Sequence, residues 1–193
     1  MSINPSTHDR VAQLLGREPR GLRAIAVSSP GGGPMVIRVA SLVDDKPFPT
    51  LFWLVDADLS YRIDQAEAGG LIKRLQQRVN SDVGLRQAMA RDHASHIALR
   101  AEYITPSEQR RLRQLGMAEE LARRGICGIA DFTRIRCLHT WYAAHLVVPN
   151  TVGAMLEEWW RQLPVAAGGV AGSHSVCGAL ADGTSAPDEA EET

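Results

Sequence analysis

The stretch Leu22–Ser41, "LRAIAVSSPGGGPMVIRVAS", decides the fold class. Ile25 and Val27 alternate with smaller residues, and Ile37 and Val39 alternate with Arg38, which is the period of a strand with one buried face. Gly31-Gly32-Gly33 separates the two runs, so an antiparallel hairpin is the natural reading. The same glycines could suggest a phosphate-binding loop. They lack the Gly-Lys-Ser/Thr ending and the following helix that such a loop requires, so a hairpin turn explains them better.

Working outward, Pro5 to Leu15 reads as a first helix, with Ser6 or Thr7 as N-cap and Val11, Leu14 and Leu15 on one side. "GREPRG" then breaks it. After the turn-forming "DDKPFPT", the short apolar run Leu51–Val55, "LFWLV", is a third strand. From Asp58 the pattern turns helical: Leu59, Ile63 and Ala66 share a face, Gly69-Gly70 interrupts, and Ile72, Leu75 and Val79 continue. Ser81 or Asp82 can cap a helix over residues 82–102. Thr105–Glu108, "TPSE", forms a capping box whose helix should run to about Arg124. "IRCLHTWYAAHL" (Ile135–Leu146) and "VGAMLEEWWRQL" (Val152–Leu163) supply the last two helices. The predicted class is α+β, a small antiparallel N-terminal sheet of about three strands packed against a mainly helical remainder.

A chain of 193 residues can bury one sizeable core. Its 45% hydrophobic and 22% charged residues fit a soluble globular protein, and no apolar run is long enough to span a membrane. "MSINPSTHDR" has no basic segment leading into an apolar stretch, so a signal peptide is not expected. Three cysteines without an export signal suggest reduced thiols and a cytoplasmic location. All 21 basic residues precede Val165, whereas Asp182, Asp188, Glu189, Glu191 and Glu192 follow it, so the body is only mildly positive. That is too weak to argue for nucleic acid. "VAAGGVAGSHSVCGALADGTSAPDEAEET" is poor in large apolar residues, so residues 165–193 are predicted to be a disordered tail after one domain over 1–164. Cys177 and His174 are set aside with it.

Chemistry concentrates in Ile135–Leu146. On a helix starting near Leu138, Leu138, Trp141, Tyr142, His145 and Leu146 fall on one face, and His145 points into an apolar stripe. Cys137 and His139 lie at the N-terminal end, where the helix dipole favours a thiolate. His93 and His96, at i and i+3, could form a two-ligand clip, with Cys137, His139 and Asp56 available to complete a zinc or iron site. The plain alternative is a structural helix, since free cysteine and stripe histidines are often core residues. Arg17 and Arg20 flank a proline turn and could hold a phosphate or carboxylate, or else bridge carbonyls and acids within the fold. Ser28, Ser29 and Ser107 stand in no nucleophile-elbow context. Cys127, nine residues before Cys137's neighbour, matches no metal spacing and reads as structural.

"LLGREPRG", "FPTLFWL", "AEAGG" and "RCLH…YAAHL…VPNTVG", in that order over Val11 to Gly153, resemble the bacterial family catalogued as domain of unknown function 501. The resemblance implies positions rather than a mechanism. Those are Gly16, Arg17, Pro19, Arg20 and Gly21; Pro49, Thr50 and Trp53; Glu67 and Gly70; His93; and Cys137, Leu138, His139 and His145. Relatives carry a Thr-Cys-Pro triplet where this chain has Val55-Asp56-Ala57, and an aromatic residue where His96 stands. The first departure removes one thiol of a pair, which disfavours dithiol redox chemistry and a four-cysteine iron–sulfur cluster. It leaves Asp56, His93, Cys137 and His139 as a metal set on paper. The second counts against His96 as an essential ligand.

Two functional expectations follow. In the first, Asp56, His93, Cys137 and His139 line a pocket that binds a metal or a small anionic ligand, with Arg17, Arg20, Glu67 and His145 as binding residues. There Cys137, as thiolate or metal ligand, activates a nucleophile, and His93 or His139 acts as acid or base. In the second, the protein is a non-enzymatic interaction module whose Cys/His core is structural and whose Trp141, Tyr142, Trp159 and Trp160 meet a protein partner.

Overall fold

The computed structural model describes residues 4–163, and those up to Gln162 belong to one compact unit. The tail predicted over 165–193, with Cys177 and His174, lies outside the described residues. The elements are α1 (Pro5–Leu15), β1 (Leu22–Ser28), β2 (Pro34–Val39), β3 (Leu42–Val43), β4 (Lys46–Pro47), β5 (Phe52–Leu54), α2 (Ala57–Ala68), α3 (Leu71–Ser81), α4 (Val83–Tyr103), α5 (Pro106–Gln114), α6 (Ala118–Arg123), α7 (Leu138–His145) and α8 (Thr151–Gln162).

The hairpin forms as predicted, and β2 is the centre of a sheet ordered β1-β2-β5, antiparallel throughout. Because β2 is covered on both faces, Val36 and Ile37 are both fully buried although they point to opposite sides. Ile37 and Val39 pack with Val11 of α1 and with Val55. Val36 and Phe52 face the main core of Leu75, Met89, Leu138, Trp141 and Leu156 from the helices. The sheet is thus a middle layer between α1 and the helical remainder, and the α+β class holds.

The "DDKPFPT" stretch contains more than a turn. Asp44 and Asp45 both take positive φ, 50° and 58°, which is the conformation of a tight hairpin turn, and it joins β3 to β4.

One helix boundary differs from expectation. The Thr105 capping box is formed, with the Thr105 hydroxyl accepting from the Glu108 amide and the Glu108 carboxylate accepting from the Thr105 amide at 2.8 Å. The helix it opens stops at Gln114 rather than near Arg124. Gly116 adopts φ 68°, its amide donates to Arg113 and the Met117 amide donates to Leu112, so the last carbonyls are satisfied by a left-handed glycine cap. α6 then starts afresh. Among the described residues, no helix is long and apolar enough to cross a membrane.

Candidate functional site

Cys137 is the N-cap of α7, in extended conformation at φ −153°, so its side chain sits at the end of the helix where backbone amides gather. Two residues on, His139 turns Nδ1 towards the Cys137 sulfur, 3.9 Å away. The Thr140 hydroxyl lies 3.7 Å from the same sulfur. Facing them is α2, whose Ser60, Asp64 and Glu67, at i, i+4 and i+7, share one face. Glu67 Oε1 accepts from the Leu138 amide at 2.6 Å and lies 3.6 Å from His139 Nδ1. His139 Nε2 lies 3.3 Å from the Ser60 carbonyl oxygen and 3.4 Å from Asp64. Glu67, Cys137 and His139 each offer a ligand atom, and the three atoms lie within 4.8 Å of one another.

The electrostatics follow from this packing. Burial alone would raise the Cys137 thiol, but the contact with His139 and the amide and hydroxyl of Thr140 outweigh it and hold the thiol below its ordinary value. His139 is pushed up to about 9, first by its contact with Cys137, against its own burial, with the Cys137, Glu67 and Asp64 charges adding. Cys127 behaves oppositely. Burial pushes its thiol up to about 12, the Cys137 charge adds to this, and its Sγ donates to the Cys137 carbonyl at 3.5 Å. Cys127 therefore steadies the backbone of the N-cap.

His139 and Thr140 also border a groove of about 320 Å³, whose other walls are Phe48, Thr50, Phe52, Trp53 and Leu54. Arg17 lies over the Trp53 ring, 4.9 Å from its centroid, and so borders this wall by stacking. Arg20 instead pairs with Asp44 at the surface, 3.1 Å away.

The remaining predicted site residues sit elsewhere, each with a local task. The Asp56 carboxylate caps α2, accepting from the Leu59 amide at 2.9 Å. His93 is fully buried, accepts from the Ile126 amide at 3.0 Å through Nδ1, and stacks on Phe132 at 4.5 Å. A Cβ at position 125 would overlap the His93 ring, so Gly125 is the residue that lets the chain pass this close. His145 Nδ1 accepts from the Asn150 amide at 2.9 Å, its Nε2 lies 3.5 Å from Glu157, and its ring stacks on Tyr142. Among the described residues the converging donor set contains Glu67, Cys137 and His139, and neither Asp56 nor His93 joins it. Sequence reasoning missed Ser60, Asp64 and Thr140. For Asp64 the available signal was its i, i+3 spacing from Glu67, but nothing in that spacing said which helix it would face, and Ser60 contributes a backbone carbonyl that no side-chain pattern marks.

A small sheet sandwiched by helices, with a thiol–imidazole–carboxylate cluster at a helix N-terminus, is the class of site that the fold defines. The family model described as protein of unknown function (DUF501) matches residues 25–158, and the chain belongs to that family. The match includes every residue of the cluster and starts after the "GREPRG" motif. No curated protein and no solved structure matches the chain.

Proposed function

We propose that Glu67, Cys137 and His139 form a mononuclear centre for a divalent transition metal, zinc or iron, open towards the groove beside Trp53. The observation that carries this reading is the two-sided placement of His139. Its Nδ1 faces the other two donors, while its Nε2 faces the Ser60 carbonyl and the Asp64 carboxylate. Metal-bound imidazoles use their second nitrogen in this way, donating to a carbonyl or carboxylate that fixes the ring. Charge supports it too. Two carboxylates and a thiol of lowered pKa surround one imidazole, an excess of negative charge that a dication offsets.

Three protein donors leave a coordination position for water or a substrate atom, the arrangement of reactive rather than purely structural centres. When bound, such a metal supplies Lewis acidity and an activated water. The chain's own residues hold the donors in place: Cys127 through the Cys137 carbonyl, Thr140 through the sulfur, and Asp64 through the imidazole. A small ligand with an acidic group would meet the metal from the groove, with Arg17 at its border. The thiols fit a reducing, cytoplasmic setting. Elemental analysis of protein purified without oxygen tests the proposal. About one equivalent of zinc or iron, lost in Cys137→Ser, is expected.

A second reading rests on one specific contact, Cys137 Sγ to His139 Nδ1. Without a metal this pair is a thiolate–imidazolium couple of the kind that activates nucleophilic cysteines. Metal-free protein whose Cys137 is alkylated rapidly near neutral pH would favour it.

A further inference from the structure

The loop between α6 and α7 lines a cavity of about 360 Å³. Arg124, Arg134 and Arg136 border it, together with Ile129, Asp131 and Ile135. Ile135 is 6% exposed, while its neighbours Arg134 and Arg136 are both exposed. The short stretch therefore alternates as extended chain does, and both arginines stand on its outer side. Gln76 of α3 fastens this stretch, donating to the Thr133 carbonyl at 2.8 Å and accepting from the Ile135 amide at 2.8 Å. Arg124 is held by Glu120 and donates to the Gly128 carbonyl, also on the cavity wall, at 3.5 Å. Asp131, the one acid among the lining residues, accepts from the Thr133 amide at 3.0 Å and from its hydroxyl at 2.7 Å. Among the described residues neither Arg134 nor Arg136 forms an ion pair. Glu120 is shared between Arg123 and Arg124, so four arginines stand against two acids and leave an excess of two positive charges. Like charges fastened two residues apart repel, and an anion between them turns that repulsion into attraction.

We propose that this cavity binds the phosphate group of a small phosphorylated molecule, with Arg134 and Arg136 on the phosphate oxygens and the organic part against Ile129 and Ile135. Each guanidinium offers a fork of N–H donors that matches phosphate oxygens. A phosphate monoester carries about 1.5 to 2 negative charges at pH 7, which balances the excess, whereas a carboxylate supplies only one. The volume admits a phosphate with a body of about one ring. A nucleic-acid strand would need a continuous basic stripe, and here the basic groups stop at one bounded cavity. None of the lining residues belongs to the Glu67–Cys137–His139 cluster, so this site and the metal can be tested separately.

The test is a titration of isotopically labelled full-length protein with phenyl phosphate, benzoate and a short thymidine oligonucleotide at constant ionic strength, followed by amide resonances. Phenyl phosphate should give saturable shifts at residues 128–136, with benzoate at least about tenfold weaker. Arg134→Gln and Arg136→Gln should each weaken phenyl phosphate by about tenfold. Both positions are exposed, so neither change disturbs the core. Arg91→Gln removes an exposed arginine of α4 outside the cavity and should leave the affinity unchanged. Four results would overturn the proposal: no saturable shifts, equal binding of benzoate, tighter binding of the oligonucleotide, or an equal loss in Arg91→Gln. Shifts centred on residues 60–67 would place the phosphate at the Glu67–Cys137–His139 cluster and overturn it too.

Discussion

The Leu138 amide donates to the Glu67 carboxylate at 2.6 Å, and this bond ties the start of α7 to the last turn of α2. Glu67 satisfies one of the amides that a helix leaves open at its N-terminus. The same bond sets its carboxylate beside Cys137 and His139. Structure and chemistry therefore share one side chain, and substitutions can separate them.

Glu67→Gln keeps an oxygen that can accept from Leu138 but removes the charge. Glu67→Ala removes both. The first should cost about 1 kcal/mol or less in denaturant unfolding of the metal-free protein, the second about 1–3 kcal/mol. Both should weaken metal binding at least about tenfold. Equal stability loss in the two variants with unchanged metal affinity would make Glu67 a helix cap alone.

The two described cysteines should react in sequence. In metal-free protein at pH 7, iodoacetamide should modify Cys137 first, because its thiol is lowered by His139 and Thr140, while Cys127 is pushed up to about 12 by burial. Bound zinc should protect Cys137. Mass mapping of the alkylated peptides reads both outcomes, and faster labelling of Cys127 would contradict the assignment.

Acid should destabilise the fold through two buried histidines. Burial lowers His93 from the ordinary 6.5 to about 4, with Asp131 opposing, and lowers His96 to about 3, with Arg100 and His93 adding. In the unfolded chain both bind protons from about pH 6.5 downward, whereas the folded protein does not until about pH 4 and below. Stability is therefore full above pH 6.5 and falls as pH drops towards 4, by up to about 1.4 kcal/mol per pH unit for each histidine. The melting temperature should fall steadily from pH 7 to pH 5, and His96→Phe should make that fall shallower. A flat profile over this range would show that the two rings are not held neutral.

Two arginines should differ sharply. Arg100, 1% exposed, donates to Pro49 at 2.9 Å and to Leu121 at 2.6 Å, joining α4 to the segment before β5 and to α6. Arg100→Met would strand both carbonyls and should cost about 2–5 kcal/mol. Arg20→Ala removes only an exposed pair with Asp44 and should cost less than about 1 kcal/mol. Urea unfolding of the two variants measures the contrast.

The fold was legible where local patterns carried it. Alternation in Leu22–Ser41 exposed the hairpin, and the Thr105 box exposed the start of α5. The break at Gly116 was not separated from a continuing helix, because a lone glycine inside a helical pattern is tolerated and only its left-handed φ settles the matter. The site was legible in part. Cys137 and His139 stand two residues apart, so sequence alone brings them together. Glu67 lies 71 residues from its partner Leu138 and was noticed only through the family resemblance. Asp56 and His93 were candidate ligands by residue type, but the fold turns them to other tasks away from Cys137: Asp56 caps α2 and His93 accepts from the Ile126 amide, 33 residues on, a long-range pairing that residue type does not reveal.

The most direct test of the central claim is a cobalt(II) titration of metal-free protein, with absorption read from the near-ultraviolet to the red. Saturation is expected at about one cobalt per chain, with a thiolate charge-transfer band lost in Cys137→Ser and d–d bands weakened in His139→Ala and Glu67→Ala. No saturable spectrum, or a thiolate band that survives Cys137→Ser, would contradict it.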